Sequence, residues 1–202
     1  MILAMRDRLN TSARALPEWP IYLIGLVPAV WLIWQGVTGG LGVDPVKVME
    51  HQLGEWGLQF LLATLCITPL LRYARINLCK FRRPLGLLGF TYVSLHFLVW
   101  LLLDLQLRWA EIGTDLVKRP YIVVGFVAFI LLVPLALTSW KGAIRRMGSL
   151  NWNRLHMLSY VVVILGGVHF VMQEKVWTAE SLIYLGLAVV LVGMRFLWLR
   201  RF

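Results

Sequence analysis

The sequence predicts an all-α integral membrane protein, a bundle of six transmembrane helices with both chain ends on the cytoplasmic side. Three observations lead to this fold class. Hydrophobic residues make up 59% of the 202 residues, and they gather into blocks of roughly 17 to 21, the length that crosses a bilayer as a helix. The connections between the blocks are short. Basic residues are dense in alternate connections, as the positive-inside rule expects.

The apolar blocks place the whole chain, residues 1–202, in one transmembrane domain. They cover residues 21–37, 56–71, 85–103, 121–137, 155–171 and 181–199. Connections of this length leave no room for a separate soluble domain.

The first block follows three arginines, as the apolar part of a signal peptide does. A cleavage site with small residues is missing, however, and the segment GVTGGLG follows instead, so we expect a retained first helix. Pro84 and Pro120 open the third and fourth spans. Pro69 and Pro134 lie late inside their spans, where we expect each proline to kink the helix or end its regular part.

The distribution of charge predicts the topology. If the N-terminus is cytoplasmic, the inner segments hold 15 of the 20 lysines and arginines, which is the bias that the positive-inside rule describes. These are Arg6, Arg8, Arg14, Arg72, Arg75, Lys80, Arg82, Arg83, Lys141, Arg145, Arg146, Arg154, Arg195, Arg200 and Arg201. The net charge of +10 therefore indicates a membrane protein bound to lipid rather than a partner of nucleic acid.

Several other kinds of site are not predicted. Cys66 and Cys79 form no C-x-x-C motif, so we expect neither a disulfide nor a zinc or iron–sulfur site. No G-x-G-x-x-G motif follows a strand, which means that a nicotinamide donor would have to be another protein.

Three of the four histidines, His96, His156 and His169, lie within predicted spans. An ionisable side chain in a bilayer is costly unless it faces the bundle interior and finds a partner. A structural interhelical hydrogen bond is the alternative for any one of them. The nearest carboxylates, Glu55 and Asp104, lie at the outer span ends. Imidazoles without thiolates or carboxylates suit an iron porphyrin with one axial histidine from each of two helices.

Depth in the bilayer indicates which histidines can pair. At 1.5 Å per residue, His96 lies about 18 Å beyond Pro84 and His169 about 21 Å beyond Leu155, so the two are at similar outer depth. His156 lies near the cytoplasmic face, roughly 20 Å from His169 along the helix. It has no histidine partner at its own depth and faces another side of the helix, unless the chain unwinds at Gly166 and Gly167.

Glycines and inner basic residues are further candidates for cofactor binding. Gly86 and Gly89 share a helix stripe with His96, and Gly166 precedes His169 by three residues, so a flat macrocycle could lie against these positions. Ordinary packing of small residues between helices is the alternative. Phosphate or propionate groups could be held at the inner side. The candidates there are Arg82, Arg83, Arg145, Arg146 and Arg154.

At these residues the sequence resembles the haem-binding membrane subunits of bacterial periplasmic methionine-sulfoxide reductase systems, within the ferric-reductase-like transmembrane family. The resemblance covers nearly the whole chain. It is carried by residues 42–72 (GVDPVKVMEHQLGEWGLQFLLATLCITPLLR), 82–100 (RRPLGLLGFTYVSLHFLVW) and the segment NRLHMLSY followed by His169.

The resemblance implies a b-type cytochrome of the bacterial inner membrane that is also associated with FMN. It implies His96 and His169 as axial ligands of haem b and His156 as a possible further ligand. The implied partner is a periplasmic molybdopterin subunit that reduces methionine sulfoxide in oxidised proteins.

Departures from larger relatives limit these expectations. In NADPH oxidases the third span carries two histidines and a cytoplasmic flavin and nicotinamide domain follows the sixth span. Here Arg82 or Arg83 stands where the second histidine of the third span would be sought, and the sequence stops at Phe202. Met157 stands where relatives often have a basic residue. We therefore expect neither a second conventional bis-histidine haem nor self-sufficient oxidation of NADPH.

The sequence thus predicts an electron-transfer subunit, with no complete catalytic site of its own, that passes electrons from quinol or a cytoplasmic flavin reductase to the periplasmic reductase. A ferric reductase, or a cytochrome b subunit for another dehydrogenase, is the nearest alternative. A small proton-coupled transporter is the alternative from a different class.

Overall fold

A computed structural model of the chain describes residues 2–199, and side chains are described for residues 5–197. Six of its helical segments are long and apolar enough to cross a membrane, and no strand occurs in the part of the chain that is described. They are Trp19–Thr38, Pro45–Ala74, Cys79–Asp104, Pro120–Leu137, Ser149–Gln173 and Ala179–Leu197. The predicted class, an all-α protein with six spans, is confirmed.

Within residues 2–199, ten α-helices make up these spans and their connections. In chain order they are α1 (Ile2–Ala15), α2 (Trp19–Thr38), α3 (Pro45–Pro69), α4 (Arg82–Leu98), α5 (Trp109–Lys118), α6 (Pro120–Leu137), α7 (Lys141–Met147), α8 (Ser149–His156), α9 (Leu158–Gln173) and α10 (Ala179–Leu199). Turns of π-helix extend α3 over Leu70–Ala74 and α4 over Val99–Asp104.

The helix ends follow the local sequence. The Asp44 carboxylate accepts a hydrogen bond from the backbone N–H of Lys47 (3.2 Å), and Pro45 opens α3. As predicted, Pro69 ends the regular part of α3, and α6 ends soon after Pro134. The fifth span is interrupted at Met157, between α8 and α9, whereas the chain stays helical through Gly166 and Gly167.

Three short helices outside the spans were not predicted. α5 and α7 lie in connections, and α1 precedes the first span. Side chains tie α1 to the α3–α4 connection: the Asn10 amide donates to the Arg75 carbonyl (3.1 Å) and accepts from the Asn77 N–H (2.8 Å). Lys80 donates to the carbonyl of Arg14 (2.9 Å). The N-terminal helix therefore rests against the loop that leads into the third span.

α3 lies at the centre of the bundle and packs most extensively against α4, while α6 packs against α9 and α9 against α10. The main core is built from aliphatic side chains of α3, α6, α9 and α10. Its buried members are Leu58, Leu61, Leu62, Leu65, Leu132, Leu135, Val162, Val163, Ala188, Leu191 and Val192. Large apolar side chains such as Ile24, Val30 and Ile183 are exposed on the outer surface of the bundle, as expected where a helix faces lipid.

A buried tyrosine joins α2 to α4. The Tyr92 hydroxyl donates to the carbonyl of Gly25 (2.7 Å) and accepts from the N–H of Ala29 (3.1 Å). An uninterrupted α-helix pairs the N–H of residue i directly with the carbonyl of residue i−4, so this hydroxyl bridges two groups of one helical turn. The neighbouring Pro28 supplies no N–H of its own.

The two ends of the bundle differ in charge. We call "the acidic end" the end formed by the α2–α3, α4–α6 and α9–α10 connections, and "the basic end" the end formed by α1, the α3–α4 connection and the segment from α7 to α8. Eight of the ten acidic residues belong to the acidic end. Two of the predicted inner arginines, Arg200 and Arg201, lie outside the described residues. That the basic end faces the cytoplasm stays a prediction.

Candidate functional site

Two histidines from different helices meet near the acidic end of the bundle. The ring centroids of His96 (α4) and His169 (α9) are 6.1 Å apart, and the ring planes are inclined by 76°. The structure thus brings together the two histidines that depth along the spans had paired. A metal ion bonded to one nitrogen of each ring at about 2 Å requires rings that are near one another without being in contact, and this separation meets that condition.

Each ring is fixed by a backbone carbonyl of a neighbouring helix. His96 Nδ1 lies 2.8 Å from the carbonyl oxygen of Glu50 in α3, and His169 Nδ1 lies 2.7 Å from that of Tyr121 in α6. A carbonyl oxygen can only accept, so Nδ1 carries the proton in both rings and Nε2 presents its lone pair. A histidine that ligates a metal almost always donates its other ring N–H in this way.

The histidine pair lines a cavity of about 840 Å³ between α3, α4, α6 and α9. Its walls are mostly apolar and its mouth is charged. Wall residues include Leu58, Leu61, Val93, Phe97, Phe129 and Leu132, and residues at the mouth include Lys47, Asp104, Arg108, Glu111, Asp115 and Arg119. A cavity of this size and lining is typical of cofactor sites.

The side chains that could act as metal ligands in this cavity indicate which kind of metal site it can form. No group of three or more histidine, cysteine or carboxylate side chains that could hold a metal ion occurs among the described residues. Two imidazoles alone leave most coordination positions of an ion unfilled, and a macrocycle that brings its own ring of nitrogens fills them. The residues present therefore fit a haem held between His96 and His169.

Polar groups fix the chain at the mouth of this cavity. Arg108 pairs with Glu111 (2.7 Å) and Arg119 with Asp115 (3.3 Å) across single turns of α5 and its flanks. Burial opposes ionisation of Glu174, but hydrogen bonds from Ser181 and Thr178 outweigh it and lower the pKa of this carboxyl below its ordinary value. The α9–α10 connection is thereby held in place beside the mouth.

A second cavity, of about 850 Å³, opens towards the basic end. Among the predicted cofactor residues, Arg82, Arg83, Gly86, Arg154 and His156 line it. Arg145 and Arg146 do not line it. They are exposed on α7, where the Arg146 guanidinium lies 5.6 Å from the centre of the Trp140 ring.

The predicted glycines have different surroundings. Gly86 has open space beside it in the basic-end cavity. Gly89 is buried against α3, where an added Cβ would lie 2.8 Å from a Leu61 methyl carbon. Gly166 lines the acidic-end cavity. The stripe of Gly86, Gly89 and His96 therefore does not face one common cavity, and at Gly89 the alternative of ordinary helix packing describes what is seen.

His156 is held differently from the other two intramembrane histidines. Its ring stacks on Trp152 with a centroid separation of 3.8 Å, and its Nε2 lies 3.0 Å from the Thr138 hydroxyl. That hydroxyl donates its only proton to the Pro134 carbonyl (2.6 Å), so it accepts from His156, and Nε2 carries the proton. The other three histidines belong to the acidic end.

Sequence reasoning missed one cationic residue of the basic-end cavity. The guanidinium groups of Arg82 and Arg195 both donate to the Thr68 hydroxyl, and Arg195 lines the cavity with Arg82. Arg195 had been assigned only to topology. Its position late in the sixth span, on the basic side, was the available signal. Two neighbouring cations favour an anionic group between them.

Sequence reasoning also missed the backbone that holds the histidine pair. The carbonyls of Glu50 and Tyr121 were not identified, and neither were Gly54 and Gly125, which lie beside the rings of His96 and His169. A signal existed for Gly125, which is the single glycine of the predicted span 121–137, whereas Gly54 lies before the predicted span 56–71. Each glycine contacts a histidine of another helix, so the contact depends on which helices pack together.

The family profile and the individual relatives that match this chain agree with one another. The profile described as "Ferric reductase like transmembrane component" matches residues 53–167. The chain is 49% identical over 177 residues to the "Protein-methionine-sulfoxide reductase heme-binding subunit MsrQ" of Agrobacterium fabrum, an overlap of 88% of this chain and 82% of that protein. It is 46% identical over 177 residues to the protein of the same name in Brucella anthropi, covering 88% and 80%. No solved structure matches the chain.

Proposed function

Because this chain belongs to the ferric reductase like transmembrane family, among the heme-binding subunits of protein-methionine-sulfoxide reductase, we propose that it is a membrane b-type cytochrome that passes electrons to a periplasmic reductase of oxidised methionine. It is a multi-pass protein of the bacterial inner membrane. The observation that carries the proposal is the pair of histidines, His96 and His169, whose ring centroids lie 6.1 Å apart beside one cavity.

In this proposal His96 and His169 hold haem b in the acidic-end cavity. When bound, the haem supplies an iron centre that gains and loses one electron at a time. With both protein ligands supplied by imidazoles, the iron would be suited to electron transfer rather than to binding of oxygen. The carbonyls of Glu50 and Tyr121 orient the rings, and leucine and phenylalanine side chains line the cavity beside them.

The basic-end cavity is the proposed site of a second cofactor, FMN or a further haem. Arg82, Arg83 and Arg154 lie where they can bind phosphate or propionate groups, and Arg195 adds a fourth cation. The indole of Trp152 supports the His156 ring, so that this histidine is held at the cavity wall. Ligation by Nε2 of His156 would require its bond to Thr138 to be broken.

The arrangement of the two cavities supports a direction of electron flow. With the basic end in the cytoplasm, a quinol or a cytoplasmic flavin reductase would deliver electrons at the basic-end cavity. A periplasmic molybdopterin subunit would take them up at the mouth of the acidic-end cavity. The chain itself would hold and tune the cofactors while the partner performs the bond chemistry.

Optical spectroscopy of the purified protein tests the proposal. Dithionite is expected to produce the sharp bands of a low-spin b-type haem, and either His96→Ala or His169→Ala is expected to abolish them. His51→Ala is the matched control, because His51 lines the same cavity but is an exposed residue outside the histidine pair, and it is expected to leave the spectrum unchanged.

A colourless, haem-free preparation from haem-replete cells would contradict the proposal and favour the proton-coupled transporter. Haem without electron transfer to a methionine-sulfoxide reductase would leave the ferric reductase or another cytochrome b subunit as the function. That distinction is made by mixing the reduced protein with the periplasmic reductase and following reoxidation of the haem.

A further inference from the structure

We propose that Gly54 and Gly125 are positioning residues for the two facing histidines, because the missing side chain at each glycine lets a histidine ring of a neighbouring helix reach the carbonyl oxygen four residues earlier. The proposal rests on the function assigned above to His96 and His169.

The geometry of an α-helix explains why a glycine is needed at this spacing. In α3 the carbonyl of Glu50 is the helical partner of the Gly54 N–H, and in α6 the carbonyl of Tyr121 is the partner of the Gly125 N–H. A carbonyl oxygen has a second lone pair that can accept another hydrogen bond. Side chains on a helix tilt towards its N-terminus, so the side chain of residue i+4 covers that lone pair. Glycine leaves it open.

The space beside each glycine is filled by the histidine ring. A Cβ added to Gly54 would lie 3.0 Å from Nδ1 and 3.2 Å from Cε1 of His96. A Cβ added to Gly125 would lie 2.8 Å from both Nδ1 and Cε1 of His169. These distances are shorter than an ordinary carbon contact of about 3.5–4.0 Å, so a methyl group would displace each ring from its carbonyl.

The same arrangement therefore occurs twice, on two different helix pairs. α3 holds the ring that α4 carries, and α6 holds the ring that α9 carries. Both histidines are thereby fixed in the form with the proton on Nδ1, and the distance between them is set by the packing of four helices. Loss of such an outer hydrogen bond typically weakens a metal site by about 10–100-fold.

The two glycines are not equally close to the histidine rings beside them. The ring of His169 lies nearer to Gly125 than the ring of His96 lies to Gly54. We therefore expect Gly125→Ala to disturb the site more than Gly54→Ala.

The test compares Gly54→Ala, Gly125→Ala and a matched control in the full chain. Gly186→Ala is the control, because Gly186 lies within α10, is exposed, and has no atom within 4 Å of the position of an added Cβ. Haem retained per polypeptide, the haem midpoint potential and the g-values of the oxidised low-spin haem are measured on each variant. The last two report on the orientation and basicity of the ligands, which general destabilisation does not alter.

We expect haem affinity to fall about 10–100-fold in Gly125→Ala and less in Gly54→Ala, with shifted potential and g-values in the haem that remains, while Gly186→Ala matches the wild type. Wild-type affinity, potential and g-values in both variants would overturn the proposal and leave the haem function standing. A haem-free wild-type protein would overturn the haem function itself.

A second variant covers the case in which Gly125→Ala does not accumulate in the membrane. In the His169→Ala background the added methyl group has the space of the missing ring, so the double variant is expected to accumulate as His169→Ala does. Failure of His169→Ala to restore accumulation would overturn the role assigned to Gly125.

Discussion

The two cavities of the bundle have nearly the same volume, about 840 and 850 Å³, yet their histidines carry the ring proton on opposite nitrogens. At the acidic end, His96 and His169 donate through Nδ1 to backbone carbonyls. At the basic end, His156 donates through Nε2 to Thr138. The hydrogen-bond partner of a histidine, rather than the size of the cavity beside it, therefore determines which ring nitrogen is left free to bind a metal.

The cavities also differ in the groups that their arginine side chains contact. The mouth of the acidic-end cavity holds acids and bases together, with Arg108 and Arg119 each paired to a carboxylate. In the basic-end cavity, Arg82 and Arg195 converge on a neutral hydroxyl. The first cavity is therefore suited to a metal-centred group between imidazoles, and the second to an anionic group between guanidinium ions.

The largest expected effect separates the two histidine environments. His169→Ala should remove the low-spin haem of the acidic end completely, whereas His156→Ala should leave its reduced bands and g-values intact, because His156 belongs to the other cavity. Optical and electron paramagnetic resonance spectra of the two variants check this. Loss of the same low-spin signal in His156→Ala would contradict the separation of the two cavities.

A smaller effect concerns the charge of the basic-end cavity. If FMN is the group bound there, as proposed, Arg82→Gln and Arg195→Gln should each weaken its binding by at least about tenfold, because a hydrogen bond to a charged group contributes about 1.5–3 kcal/mol and about 1.4 kcal/mol corresponds to a factor of ten. Quenching of flavin fluorescence in a titration measures the affinity.

Arg8→Gln is the matched control for this titration, since it removes the same charge from an exposed position on α1. Equal weakening by Arg8→Gln would mean that FMN responds to the overall charge of the basic end, and the specific role of Arg82 and Arg195 would be wrong.

The smallest expected effect concerns the hydroxyl that holds His156. Thr138→Val keeps the shape of the side chain and removes the acceptor of the His156 proton, so the free energy of unfolding should fall by about 1 kcal/mol. Denaturant unfolding in detergent measures the change, and the haem spectrum of the acidic end should not alter. A change in that spectrum would show that the two ends are coupled.

The spans could be predicted because each is an apolar run of bilayer length. Their bounds in the structure lie within a few residues, except that the second, third and fifth helical segments begin six or more residues earlier than predicted. The short helices α1, α5 and α7 could not be predicted, because helices at a membrane surface combine charged and apolar residues. In α5, exposed Trp109 and Val117 stand beside charged Glu111 and Asp115. Hydropathy alone does not separate such a segment from a loop.

The candidate site likewise combines features that could be predicted from the sequence with features that could not. Pairing of His96 with His169 followed from depth, which sequence position and helical rise determine. The carbonyls of Glu50 and Tyr121 could not be found, because a backbone atom has no residue type to recognise. Arg195 and Arg82 are more than a hundred positions apart in the sequence, and their meeting at Thr68 depends on the packing of the sixth span against α3.

The bridge made by Tyr92 also bears on how the chain is assembled during synthesis. The Ala29 N–H and the Gly25 carbonyl belong to the first span, while the hydroxyl that joins them lies 63 residues after Ala29. Ribosomal synthesis delivers the first span to the bilayer before the third exists. The first span therefore enters the bilayer before its Tyr92 partner has been made, so the hydrogen bonding around Gly25 and Ala29 is completed only by a later part of the chain.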